Sequence, residues 1–387
     1  MSGARPHDPP ISRPADVPAG AGLGTALVRL LPLFAILSLV AGVALTLAVA
    51  GDTLGYDFLA YHAAAARVFD GQAAYDMSFE AAGGFGLFYY PPTFVPLVLP
   101  FGLLPAAAAT WAWIVLLLAA FLVGTWAMPV RGWVRWLTVL LAGVSWPFLY
   151  SIKLGQVGPL LFLLFALGWR WLDRGPLLGV TGALGAAVKI QPGLVLAWAL
   201  LTRRWAAVVA GGVTLAVIAG LATLVAGAGA WPDFLVLIGR VSDPITTPKN
   251  LTPGAVAYGL GVPRDTAGLL QWVSMAAALV AVVVAALRLP AAPSYLVAVI
   301  ASQLLSPILW EHYALLLLLP VAWLVDRGHW WAVVIPLATP LLLVGFVPPI
   351  VYPLAFWGTL VAVWVVGARD GELAGQSPAP RDRHSSR

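Results

Sequence analysis

Apolar and polar positions alternate along this chain on the scale of whole helices rather than single residues. Runs of Leu, Ala, Val and Trp recur from residue 26 onward, and short stretches between them hold most of the charge. The runs cover about 27–50, 93–104, 106–128, 134–150, 158–171, 177–188, 193–201, 205–226, 267–287, 295–309, 313–325, 331–347 and 351–366. A helix needs about 20 apolar residues to cross a bilayer, so the longer runs read as spans. The shorter ones are expected to pair or re-enter. Inside lipid only helices and closed barrels satisfy their backbone polar groups, and the alternation of a barrel strand is missing here. The pattern predicts an all-α polytopic membrane protein with about 11–13 transmembrane helices. It forms one multispan domain over residues 26–368, without a clear internal repeat.

One stretch departs from this pattern. Between the first run and the second lie Asp52, Asp57, Asp70, Asp76 and Glu80, five of the 16 acids in the chain, interleaved with aromatics. From Asp57 to Phe69, the residues Phe58, Tyr61, Ala65 and Val68 recur at helical spacing. They predict an amphipathic helix lying on the membrane surface, just outside the first span.

Composition narrows the class. With 61% hydrophobic and 10% charged residues, the chain cannot clothe a water-soluble surface. It contains no cysteine, so disulfides, thiolate metal sites and thiol nucleophiles are excluded. The net charge of +5 does not point to nucleic acid, because the basic residues sit mostly at the ends of apolar runs. There they orient the protein, with basic turns inside. Arg13 and Arg29 put the N-terminus in the cytoplasm; Arg131/Arg135, Arg170/Arg174, Arg203/Arg204, Arg288, Arg327 and Arg369 mark further cytoplasmic turns. The turn at Gly155-Gln156, the loop over residues 227–266 and the turn at Glu311-His312 are then expected outside, with Asp57. Polar residues 1–25 and 369–387 read as disordered tails.

Three groups carry candidate chemistry. Asp57, among aromatics at the membrane–water boundary, suits a general base, although a helix also favours an acid in its first turn. Lys189, in an apolar run broken by Pro192, either snorkels or meets an anion. His312, beside Glu311, can hold a phosphate oxygen or carry a proton, or it is simply an interfacial loop residue. Lys249, with Arg240, Asp243 and Asn250, belongs to a polar outer loop able to touch phosphate or sugar, or merely solvated. No P-loop, dinucleotide fingerprint or zinc-ligand helix is present, and no cofactor is expected. Asp76 and Glu80 are spaced to share a helical face, but nothing requires a metal.

The order of these residues resembles a known family. Asp57-Phe58 with Tyr61, Gly71 with Tyr75-Asp76, Tyr90-Pro91-Pro92, Gly155-Gln156, Lys189 with Pro192, and Ser306-Pro307 with Trp310 and His312 are together similar to glycosyltransferase family 87. The likeness covers about residues 27–368. It implies a GT-C-type fold and a transferase that takes a sugar, mannose in the mycobacterial members, from a polyprenyl-phosphate carrier. The acceptor is a lipid or glycan, and the reaction lies on the outer face of the bacterial inner membrane. By position, the resemblance makes Asp57 the catalytic base and His312 a second active-site residue. Lys189, Tyr61, Tyr90, Gln156, Glu311 and Lys249 are the expected substrate-binding residues. The family commonly has Asn-rich or hydroxyl-rich sequence after the Gly-Gln pair, where this chain has Val157-Gly158-Pro159.

On this reading the partners are a lipid-linked sugar donor, a lipid or glycan acceptor and the bilayer, with no nucleic acid. The rival reading is a transporter or flippase of lipid-linked sugars, which would also use broken helices and buried ions.

Overall fold

A computed structural model describes residues 22–78, 86–240, 243–338 and 347–376. Among these residues the regular structure is helical, and no strand forms. The first helix, α1 (Gly22–Ala50), leads through a short turn into α2 (Tyr56–Phe69), and the brief α3 (Val95–Val98) precedes the long α4 (Ala106–Ala127). Next come α5 (Gly132–Val144), α6 (Trp146–Leu154), α7 (Gly158–Arg170), α8 (Gly175–Val188), α9 (Leu194–Leu201) and α10 (Trp205–Ala226). The remainder comprises α11 (Ala230–Arg240), α12 (Pro253–Gly259), α13 (Arg264–Arg288), α14 (Ala291–Leu304), α15 (Leu318–Asp326), α16 (Val334–Ala338) and α17 (Val351–Gln376).

Five stretches are long and apolar enough to cross a bilayer: Val28–Thr53, Ala106–Ala127, Trp205–Ala226, Arg264–Arg288 and Val351–Gly371. A sixth crossing is available if α6 and α7, bent by 119° at their junction, are counted together. Five more apolar helices have only 10–17 residues. Against the expected 11–13 spans, five or six crossings are long enough by themselves, and the other apolar runs form helices too short to cross alone. The protein is an all-α polytopic membrane protein.

Several expectations need correction. The apolar run 134–150 is not one helix: Ser145 is extended (φ −89°, ψ 120°), because Pro147 removes a donor and constrains the turn before it. The segment 227–266, expected as an outer loop, is not merely a loop, since it contains α11 and α12. The apolar side of α2 is not left for lipid: Phe58, Tyr61, Ala64 and Ala65 are buried within the protein. The run 331–347 forms a short 3₁₀ turn and α16 as far as Ala338, and its later part falls outside the described residues. At the C-terminus α17 continues past Arg369 to Gln376, and α1 already begins at Gly22. Residues 1–21 and 377–387, the remainder of the expected tails, and Glu80 lie outside the described residues.

The core joins short helices through small residues. A Cβ at Gly42 or Gly143 would collide with backbone of the other's helix, so α1 and α5 cross at van der Waals distance. Gly179 and Gly211 do the same for α8 and α10. In lipid such close approach replaces the hydrophobic effect as the source of helix association.

The basic turns converge. Arg131 pairs with Asp326 at 2.8 Å and Arg327 with Asp370 at 3.0 Å. These turns lie past the C-terminal end of α4. At the other end of the same helix, Thr110 touches Gly55 and Trp113 stacks on Phe58. With 1.5 Å per residue, the two ends lie about 30 Å apart, close to the thickness of a hydrocarbon core.

Candidate active site

Three interruptions of helix meet at the Asp57 end of the molecule. One is Gly155-Gln156-Val157, between α6 and α7. Another is the run from Lys189 to Gly193, between α8 and α9, and the third separates α14 from α15. Each carries polar side chains that the surrounding apolar sequence lacks. Non-helical backbone at membrane depth persists only where protein or a wet cavity covers it.

Gly155 sets the first break. Its φ of 69° is left-handed, a conformation that costs glycine little. A Cβ there would also lie 2.6 Å from the Cβ of Phe58. That contact brings the start of α2 against the break, and the Gly55 N–H donates to the Lys153 carbonyl at 2.7 Å. Trp113 donates its indole N–H to the Gly155 carbonyl at 2.8 Å.

Gln156 can then reach Asp57: its Nε2 donates to Asp57 Oδ2 at 2.6 Å. Its Oε1 accepts from Tyr90 Oη at 2.9 Å and, more weakly, from Tyr61 Oη at 3.4 Å. Tyr61 Oη donates to Tyr90 Oη at 2.6 Å, and Tyr75 Oη donates to the Tyr90 carbonyl at 2.8 Å. The phenol donors determine which end of the amide faces the carboxylate, since Oε1 must accept and Nε2 must donate.

Asp57 lies on α2, outside the membrane-spanning segments. Its helix is capped by Gly55, so the carboxylate is not the cap that Asn or Asp so often supply. Asp52, by contrast, is exposed in the preceding turn. Burial pushes the Asp57 carboxyl above the usual carboxylate range, while the Gln156 hydrogen bond and the Lys189 charge pull it back. A carboxylate whose proton affinity is raised by burial is better able to accept a proton, as a general base must.

Lys189 closes the site from the other side. It ends α8 in extended conformation (φ −142°, ψ 144°), because Pro192 prevents the helix from continuing. Its Nζ donates to Tyr313 Oη at 2.9 Å and lies over the rings of Tyr313 (4.3 Å) and Tyr90 (5.4 Å). It makes no ion pair with a carboxylate among the described residues.

His312 is 3% exposed, and neither ring nitrogen has a hydrogen-bond partner among the described residues. Its ring lies 5.0 Å from that of Tyr313 and 6.2 Å from that of Tyr150. Buried polar groups are nearly always satisfied, and His312 is an exception among the described residues. Glu311 accepts from Trp146 Nε1 at 2.7 Å.

The structure thus brings Asp57, Tyr61, Tyr90, Gln156, Lys189 and His312 together, with Glu311 at one side. Lys249 is not joined to them: it is exposed, with φ 60°. The informative member of its loop is the neighbouring Asn250, which is buried. Asn250 Nδ2 donates to the carbonyls of Pro244 and Pro307, and its Oδ1 accepts from the backbone N–H of Leu309. It braces the segment that carries Glu311 and His312. Tyr313 and Tyr150 also border this cluster, and the sequence pattern singles out neither. Asp76 lies outside helix and binds Ser78 and Arg67, and Glu80, expected to share a face with it, lies outside the described residues. Among the described residues, no cluster of three His, Asp or Glu is placed to hold a metal.

Fold and site together define an integral-membrane protein with a catalytic-type polar centre built at helix breaks near one end of the bundle. The chain belongs to glycosyltransferase family 87, whose sequence pattern matches residues 88–310, and it is a membrane glycosyltransferase. It is 27% identical over 400 aligned residues to the polyprenol-phosphate-mannose-dependent alpha-(1-2)-phosphatidylinositol pentamannoside mannosyltransferase of Mycolicibacterium smegmatis. That alignment covers 92% of this chain and 95% of the relative. No solved structure matches.

Proposed function

We propose that this protein transfers a sugar, mannose by analogy with its relative, from a polyprenyl-phosphate carrier to a hydroxyl of a lipid or glycan acceptor, with Asp57 as general base. The observation that carries this reading is the Asp57–Gln156 hydrogen bond of 2.6 Å, within a family of glycosyltransferases. The acceptor O–H gives its proton to Asp57 as its oxygen attacks the anomeric carbon. The bond from that carbon to the carrier phosphate breaks, and the electron pair leaves with the polyprenyl phosphate. Attack and departure occur on opposite faces, so the configuration inverts.

Negative charge grows on the leaving phosphate, and preorganised donors there lower the barrier. Lys189 is suited to this task because it forms no ion pair with a carboxylate among the described residues. Tyr313 orients its ammonium, and His312 offers a further donor. The placement of basic turns at the opposite end of α4 supports a site on the non-cytoplasmic face of a bacterial inner membrane. No nucleotide has to reach that face, because the carrier already holds an activated sugar.

The test is direct. Purified protein is mixed with polyprenyl phosphate carrying radiolabelled mannose and with lipid extract from the native membrane. Label should move to a new lipid or glycan species, and Asp57→Asn should stop the transfer. Label that only changes leaflet in proteoliposomes, with the donor intact, would instead establish the flippase reading.

A further inference from the structure

The chemistry at Asp57 and Lys189 makes no use of α11, although this helix stands beside the site. Its Phe234 ring lies 6.0 Å from that of Tyr75, whose phenol is bonded to the Tyr90 carbonyl. Ala230, Phe234 and Leu237 form one row along α11 and are buried against the protein. A second apolar row follows one position later: Trp231 is half-buried, and Leu235 and Ile238 are exposed, Leu235 by 69%. With about 100° of turn per residue, this row adjoins the buried one and lies opposite Asp233 and Arg240. The helix is therefore three-sided, with one side for the protein, one with charge and one apolar side left uncovered. On the charged side Arg240 donates to the Met77 carbonyl at 3.1 Å.

What covers the third side follows from where the helix begins. The span α10 ends at Ala226, and residues 227–229 are all that separate it from α11. Val213, Val217, Leu221 and Leu224 of that span are exposed, so α10 itself faces lipid. Trp231 turns back to the span: its indole N–H donates to Thr223 Oγ1 at 3.0 Å, nearly one turn before the end of α10. The row that contains Trp231 thus points toward the membrane interior, and Asp233 and Arg240 point away from it. We infer that α11 lies in the bilayer surface at the site's end of the molecule, with Trp231, Leu235 and Ile238 sunk among the lipid headgroups and upper acyl chains. In-plane amphipathic helices bind in this way, and Trp favours that level. The sequence pattern places such a helix at α2, but there the apolar side is taken up by protein. The partner is a lipid surface, and the inference does not rest on the glycosyl-transfer reading. Because Phe234 bears on Tyr75, α11 fixes the tyrosine side of the site at the level of the headgroups.

The experiment uses the absence of native cysteine. Leu235→Cys, Ile238→Cys, Val236→Cys and Lys249→Cys are each made in the full chain and labelled with a polarity-sensitive fluorophore. Each is then reconstituted into vesicles of phosphatidylcholine and phosphatidylglycerol. Labels at Leu235 and Ile238 should emit at shorter wavelength, resist aqueous iodide and lose intensity when the lipids carry a nitroxide near the top of the acyl chain. Labels at Lys249, and at Val236 on the side of Asp233 and Arg240, are exposed away from the membrane and should be quenched by iodide instead. Leu235 and Ile238 are both exposed, so neither substitution disturbs a packed core, and each reads the same side should the other fail to fold. Iodide quenching at both equal to that at Lys249, without nitroxide quenching, would overturn the inference. Protection from iodide and nitroxide alike would overturn it too, and disulfide-linked dimers on oxidation of the unlabelled variants would then seat a second copy of the chain on this side.

Discussion

Gln156 and Asp57, 99 residues apart in sequence, meet at 2.6 Å through an amide N–H and a carboxylate oxygen. The same amide accepts from Tyr90, so one side chain couples the base on α2 to the tyrosines that flank Lys189. The expected role of Gln156 in substrate binding is thereby sharpened: its visible action is on Asp57.

Asp57→Asn should separate a base from a structural acid. The amide retains size and most polar contacts, and the lost charge at the first turn of α2 costs about 0.3–1 kcal/mol of helix stabilisation. Loss of a general base costs about 10²–10⁴-fold in rate. The variant should purify folded and bind donor, while transferring almost no sugar. Asp52→Asn, at an exposed position, should keep most activity. Radiolabel transfer by the two proteins side by side is the measurement.

The pH profile should follow the same carboxylate. Asp57 works only when ionised, so kcat/KM should fall as the pH drops through its raised pKa. Gln156→Leu removes the hydrogen bond that favours the ionised form, and the acid limb should move to higher pH. A pH–rate profile with unchanged limb position in that variant would detach Gln156 from Asp57.

Lys189 should act on the donor. Lys189→Met or Tyr313→Phe should weaken turnover with the lipid donor while the protein stays folded in detergent. The loss of a charge-assisted contact to phosphate corresponds to about 1.5–3 kcal/mol, or about 10- to 150-fold. Tyr313→Phe should have the smaller effect, because it disturbs only the orientation of the ammonium. Steady-state kinetics against donor concentration report both.

Gly155→Ala should damage the site through the backbone. The new methyl meets Phe58, and the left-handed φ disfavours any side chain. Displacing Gln156 from Asp57 should abolish transfer and lower the melting temperature. Gly51→Ala, at φ 51° with nothing within 4 Å, is the matched control. It carries the conformational penalty without the clash and should remain active.

Sidedness is open to cysteine labelling, since the chain has no cysteine of its own. Thr53 and Lys249 are exposed. Cysteine at either should react with an impermeant thiol reagent in intact spheroplasts, and cysteine at Arg131 should not. Opposite behaviour at Thr53 and Arg131 would invert the orientation.

Hydrophobic periodicity by itself determined the class of this protein, because a chain with so little charge has no fold in water and only helices suit its long apolar runs. The bounds of α10, the existence of α2 and the identity of Asp57, Lys189 and His312 as costly polar residues were all readable locally. What the sequence did not reveal is how the short runs combine. Whether 134–150 is one helix or two depends on the break at Ser145 and Pro147, and on what packs across it. Nor is a hydrogen bond between Gln156 and Asp57 visible when 99 positions intervene. The tertiary structure decided it by bringing glycine-lined surfaces close enough for three helix breaks to share one end of the bundle. Lys249 stands apart from the cluster for the same reason: its charge was legible, but only packing decides which side chain of a loop turns inward, and that one is Asn250.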